Sequence, residues 1–215
     1  MHMKTYFSFV IFMICFTTCK SPEKEYLFNG KNLDGWTIFV KDSTINHNDY
    51  FYVNEGMIET VGKPIGYLRT VKEYANYKLH VEWRYPEKPT NSGVFVHATG
   101  EDLIWVGHYQ GQLKHENAGD FIVHGVGRSA TIADSIYTSI IDHKPLIPKY
   151  EASSEKPAGE WNSYDITCNA DTIELFVNGV LQNVATNCTV TKGSIGLQAE
   201  GSKIQFRNLW IEPLD

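Results

Sequence analysis

The chain has 215 residues, with 19 basic against 25 acidic side chains and a formal net charge of −6 at pH 7. No basic run offsets that balance, which excludes nucleic acid as the expected partner. Aromatic residues make up 13% of the chain, which suits a β-rich core or stacking against sugar rings, and composition does not separate the two.

In chain order, the first segment reads as an export signal. Lys4 supplies a basic start, and Thr5 to Phe16 form a mostly apolar stretch, too short to span a bilayer but the right length for a secretory signal. Phe16-Thr17-Thr18-Cys19 resembles a relaxed bacterial lipobox, followed by the polar run 20–25. Residues 1–19 are therefore assigned to signal peptide and lipobox, 20–25 to a tether and 26–215 to a single domain. An ordinary signal peptide cut nearby is the alternative. Acylation of Cys19 would hold the protein on a membrane as an exported lipoprotein of the cell envelope, in the periplasm or at the cell surface.

From Tyr26 onward, strand-like runs dominate. Tyr50 to Val53 leads through the turn Asn54-Glu55-Gly56 into Met57 to Thr60, and Leu79, Val81, Trp83 and Tyr85 alternate with polar residues. Residues 133–160 carry Pro145, Pro148 and Pro157 and read as a long irregular excursion. Ile173 to Val177, Asn178-Gly179 and Val180-Leu181 form a strong hairpin signal, and Ser194 to Ala199 and Ile204 to Arg207 read as closing strands. No helical period is sustained, so an all-β antiparallel sandwich is expected. Cys168 and Cys188 are read onto strands of one meander with a strand between them. Facing positions two strands apart lie roughly 9–10 Å from each other, beyond disulfide reach, so two buried thiols are expected.

The most informative stretch is 91–121. His97, His108, His115 and His124 are half of the chain's eight histidines. His108, Gln110, Gln112 and Lys114 share one strand face that is polar without being simply charged, which suits a sugar-binding groove better than a plain solvated face, the alternative being a face that is simply exposed. A neutral imidazole can take a proton from carbon acidified by a neighbouring carbonyl, with Gln112, Lys114 or Arg84 stabilising the enolate oxygen. His97, His108 and His115 could equally hold a divalent metal, with oxygen from Gln112 or Asp120, although their spacing matches no standard metal motif. There is no dinucleotide-binding glycine motif, so no nucleotide cofactor is expected, and no serine-hydrolase elbow or H-E-x-x-H pair. The E-x-D-x-x-E strand of sandwich glucanases is also missing, which disfavours a two-carboxylate glycosidase.

These residues carry a family resemblance. Leu27-Phe28-Asn29-Gly30-Lys31-Asn32-Leu33-Asp34-Gly35-Trp36 resembles the opening signature of the 3-keto-disaccharide hydrolase family. The match continues through Glu82-Trp83-Arg84, Asn91-Ser92-Gly93-Val94, Gln112-Leu113, Asn117 to Phe121 and Glu155 to Asn162, and closes with Gly196 to Gly201 and Phe206-Arg207-Asn208.

The resemblance implies a concanavalin A-like jelly-roll sandwich of two antiparallel sheets with a concave ligand groove. It also implies cleavage of glycosides whose C3 hydroxyl has been oxidised to a ketone, by hydrolysis or by lyase or hydratase half-reactions, often with a divalent metal. A non-catalytic carbohydrate-binding surface lipoprotein is the alternative. On this basis His97, Asp120 and His115 are the catalytic candidates, with His97 and Gln112 also the candidates for a metal. Arg84, His108, Gln110, Gln112, Lys114, Gln198 and Glu200 are the candidates for binding an oligosaccharide or glycoside. One position departs from the family: two residues before Gln112, where many members place a glutamate, this chain has Gln110, an amide that cannot act as a base.

Overall fold

The computed structural model describes residues 23–214. The signal peptide, Cys19 and the start of the tether lie outside the described residues. In chain order the elements are β1 (Glu25–Tyr26), β2 (Trp36–Val40), the one-turn helix α1 (His47–Tyr50), β3 (Phe51–Asn54), β4 (Met57–Thr60), β5 (Gly66–Thr70), β6 (Tyr77–Arg84), β7 (Gly93–Thr99) and β8 (Gly107–Gln112). They continue with β9 (Phe121–His124), β10 (Ser129–Ile132), β11 (Ser135–Thr138), β12 (Leu146–Ile147), β13 (Asn162–Asn169), β14 (Thr172–Val177), β15 (Val180–Ala185), β16 (Ser194–Ala199) and β17 (Ile204–Pro213).

Fifteen of these strands form the two antiparallel sheets of a concanavalin-like jelly roll, and β10 and β11 pair as a separate two-stranded ribbon. One sheet runs β15-β14-β13-β6-β17-β4-β3 with β1 alongside β17, and the other runs β12-β9-β8-β7-β16-β5-β2. In β6 and β13 every second residue is buried, from Tyr77 to Trp83 and from Asn162 to Cys168, because only one face of that sheet meets the core. The inner β7 and β16 are instead buried almost throughout, since the second face of their sheet is also covered. Between the sheets lies one large apolar core that includes Trp83, Tyr109, Phe121, Tyr164 and Leu197. Tight hairpins turn through Glu55-Gly56 and Asn178-Gly179, all four with positive φ.

Three expectations change. Cys168 lies on β13, but Cys188 follows β15 in a loop rather than on a strand; both are free, buried thiols whose pKa burial pushes up to about 12. The tether ends earlier than expected, because Glu25 pairs with Ile211 in β1 and Lys24 lies over the Trp210 ring. The irregular segment 133–160 contains two short strands, β11 and β12, and β12 pairs with β9 beside the histidine-rich strands.

Candidate functional site

The outer face of the seven-stranded sheet carries a polar cleft of about 190 Å³. His108, Gln110 and Gln112 reach it from β8 at alternate positions, as strand geometry requires. Ile122 and His124 come from β9, where they stand opposite Gln110 and His108 in register. Gln198 and Glu200 enter from the β16 side and Asn91 from the start of β7, while Trp105, Lys144 and Leu146 close the rim.

A chain of amides fixes the polarity of the floor. The Gln112 carboxamide oxygen accepts from the backbone N–H groups of Leu113 at 3.1 Å and Lys114 at 3.3 Å. Gln198 Nε2 donates to Glu200 at 2.8 Å, which turns its own oxygen inward. Both carboxamide oxygens therefore face Gln110, whose Nε2 donates to Gln112 at 3.1 Å and to Gln198 at 3.2 Å. The second of these reaches across β7, and it needs Gly93: a Cβ there would lie 2.5 Å from Gln110 Nε2. Gly196 does the same for Phe95, which leans across β16 toward Tyr67 with ring centroids 5.9 Å apart.

At one end of this chain sit two imidazoles. His108 and His124 face each other across the β8–β9 pair, stacked at 5.0 Å, and both present Nδ1 to the carbonyl of Val106, at 2.6 Å and 3.2 Å. A neutral ring has one N–H, and these contacts claim it, leaving each Nε2 with its lone pair. His108 Nε2 faces Gln110 Oε1 at 3.3 Å, and because both atoms are acceptors no hydrogen bond joins them, whereas among the described residues His124 Nε2 has no partner. Burial lowers both pKa values; His108 is pushed down to about 3 by burial first and then by its histidine neighbour, and His124 falls by burial and by the Lys144 charge. Both rings are therefore neutral at physiological pH, and His124 is the more accessible.

The rim is tied down from below. Arg69 Nε meets Asp102 at 2.8 Å, and Tyr67 donates to Asp102 at 3.1 Å and to the Leu103 carbonyl at 3.0 Å. This anchors the loop that carries Trp105, over which Lys144 Nζ lies 4.8 Å from the ring centroid.

The structure brings together His108, Gln110, Gln112, Gln198 and Glu200 among the expected residues, and it sends the others elsewhere. His97 adopts φ of +50° at a bulge between β7 and β8, which turns it from the Phe95 face to the core side. There it is buried edge-on to Tyr77, with its nitrogens at the Val190 and Ala75 carbonyls. Asp120 follows β8 in a tight turn and accepts from the backbone N–H of Lys149 at 3.0 Å. His115 contacts Glu155 at 3.3 Å in a separate surface depression. Lys114 is exposed beyond the end of β8 and is not part of the cleft wall. Arg84 lies on the other sheet, where Nε donates to Gln205 at 2.6 Å and the guanidinium covers Trp161. The two metal candidates thus do not meet, since His97 faces the core and Gln112 the cleft, and among the described residues no group of three or more His, Cys, Asp or Glu side chains is arranged to hold an ion.

Sequence reasoning did not select Asn91, Trp105, His124 or Lys144 as site residues. His124 was visible as part of the histidine cluster, and Asn91 as part of the Asn-Ser-Gly motif. Trp105 and Lys144 come from connections, where no periodicity marks which side chains turn inward.

The family described as 3-keto-alpha-glucoside-1,2-lyase-like domain matches residues 23–212. Among solved structures, a candidate glycosyl hydrolase from Parabacteroides distasonis ATCC 8503 superposes with a TM-score of 0.66 at 22% identity, over 89% of this chain and 94% of that one. The beta-glucanase of Bacillus licheniformis gives 0.58 at 15% identity, over 92% and 100%. The carbohydrate binding module CBM66 of Bacillus subtilis gives 0.57 at 10% identity, over 86% and 98%. At these identities the shared feature is the fold, which is glycosyl hydrolase-like. Among curated proteins none matches in sequence. With nearly all of its described length matched, the chain belongs to the 3-keto-alpha-glucoside-1,2-lyase-like domain family.

Proposed function

We propose that the cleft cleaves glycosides carrying a ketone at C3, by removing the C2 proton and eliminating the C1 substituent. The observation that supports this most is the unpartnered, neutral His124 Nε2 beside Lys144, in a cleft whose lining contains one carboxylate, Glu200. Retaining and inverting glycosidases need two carboxyl groups flanking the scissile bond. An elimination needs instead one base and donors for an enolate oxygen.

In this reading His124 Nε2 takes the proton from C2, and the C–H electron pair moves onto the C3 oxygen as an enolate. Lys144 and the Gln112 N–H supply positive potential and hydrogen bonds to that oxygen. The enolate collapses to a C1=C2 double bond as the C1–O bond breaks, and the departing oxygen takes a proton from Lys144. Addition of water across the double bond, OH to C1 and H to C2, completes a net hydrolysis. His108 does not act as the base, because a pKa near 3 makes it a weak one. Asn91 and Glu200 bind sugar hydroxyls at the far end.

The test compares a 3-keto-disaccharide with its unoxidised parent. Sugar, or an ultraviolet-absorbing enone, should be released from the ketone alone; no release from any 3-keto-glycoside, with or without divalent ions, would reject the reading. Gln110 favours a second reading, a cleft that binds sugars and leaves them intact, because an amide stands where a glutamate is common in the resembling family. It predicts saturable binding of the unoxidised sugar without turnover. In either case the protein is proposed to be exported and anchored through Cys19.

A further inference from the structure

The polar cleft is smaller than the roughly 300–1,000 Å³ typical of a ligand site. Next to it lies a second cavity of about 780 Å³, and the two share Trp105, His124 and Lys144 as a common wall. The second cavity is apolar in character. Leu103, Val126, Ile140 and Ile141 line it and are 59%, 72%, 58% and 74% exposed, a grouping of large apolar side chains that water disfavours.

The wall is built rather than incidental. Ile140 and His143 exchange backbone hydrogen bonds of 3.0 and 3.1 Å across a tight turn with Asp142 at φ of +63°, which holds Ile140 and Ile141 at its tip. Gly127 and Arg128 bond to Ser139 and fix the base of that turn. On the opposite side, the Leu103 carbonyl is held by Tyr67. Two adjacent β-branched apolar residues at an exposed turn tip serve no core.

We infer that this cavity is the leaving-group subsite: it receives an apolar, ring-sized aglycone, such as an aryl group, of a glycoside whose sugar sits in the polar cleft. The inference rests on reading the cleft as a glycoside site. Continuity selects this occupant, since the shared Trp105, His124 and Lys144 stand where the bond between sugar and aglycone would cross from one compartment to the other. A sugar in the polar cleft could place its C1 substituent against apolar side chains without leaving the protein surface.

The test measures equilibrium binding of phenyl and methyl glucosides, both anomers of each, to the whole folded domain by calorimetry, alongside sedimentation of the same samples. Burial of one aromatic ring predicts at least about tenfold tighter binding of one phenyl glucoside than of its methyl counterpart. Ile140→Ser/Ile141→Ser, at exposed positions that leave the fold intact by circular dichroism, should bring that ratio to within about twofold. Equal affinities in the parent protein would overturn the subsite while leaving the sugar cleft standing. So would a phenyl preference that survives the double substitution, or a dimer of the parent chain that the substitution dissociates, since the patch would then be a self-interface. Binding of none of the glucosides would overturn the subsite, whose apolar contact with the aglycone does not depend on the C3 ketone, and the cleft would stand or fall on the 3-keto-glycoside cleavage test. A phenyl preference together with no turnover of 3-keto-glycosides would reject the chemistry and keep the subsite.

Discussion

His108 and His124 share one acceptor: stacked 5.0 Å apart, both turn Nδ1 to the carbonyl of Val106. This one carbonyl sets the tautomer of both rings and directs their Nε2 atoms away from it. The two rings differ in exposure: His108 is buried beside the amide chain, and the half-buried His124 has its Nε2 free for a substrate.

His124→Ala should therefore lower kcat/KM for a 3-keto-glycoside by about a hundredfold or more, the usual worth of a positioned general base. Because burial and Lys144 depress the His124 pKa, the acid limb of the kcat/KM profile should fall below the ordinary imidazole value of 6.5. Lys144→Met should move that limb upward, by removing the cation that disfavours the imidazolium.

His108 also carries a stability prediction. Its folded pKa is about 3 against an ordinary 6.5, so between those values the unfolded chain binds a proton that the folded chain does not. Its contribution to stability is complete above pH 6.5 and is lost as pH falls, at up to about 1.4 kcal/mol per pH unit. Urea denaturation from pH 7 to pH 4 should show this slope, and His108→Gln should flatten it. An unchanged slope in the variant would show that the ring is not held neutral.

Gln110→Glu should cost stability rather than add a second general base. A carboxylate there would face the Gln112 and Gln198 oxygens, both fixed as acceptors from outside, in a position only 4% exposed. A cost of about 1–3 kcal/mol is expected at pH 7, smaller at low pH where the acid can donate, and chemical denaturation at the two pH values measures it.

His97→Ala should behave in the opposite way to His124→Ala. It removes a buried ring packed on Tyr77 and should cost about 1–3 kcal/mol of stability, while kcat/KM per folded molecule stays unchanged. A loss of turnover without a loss of stability would return His97 to the site.

Much of the architecture was legible because alternation is a local signal: β6, β13 and the Asn178-Gly179 hairpin follow directly from their residues. The cleft floor was legible for the same reason, since His108, Gln110 and Gln112 lie at alternate positions of one strand. His97 escaped that logic because a bulge reverses the face at one residue, and no local pattern in Val96-His97-Ala98 announces it. Arg84 was misplaced because sequence does not show which of two sheets a strand joins. Trp105 and Lys144 depend on how the connections fold back: the Asp102–Arg69 pair anchors the Trp105 loop, and backbone bonds of Ser139 to Gly127 and Arg128 and of Val123 to Pro145 hold the segment that carries Lys144. Asp102→Ala should accordingly raise KM more than it lowers kcat, as the Trp105 loop loosens.

The most direct measurement uses a 3-keto-glucoside labelled with deuterium at C2. Elimination through His124 predicts a primary isotope effect on kcat/KM and loss of the C2 deuterium to solvent in the released sugar. Release of a sugar that keeps its C2 deuterium, with no isotope effect, would contradict it.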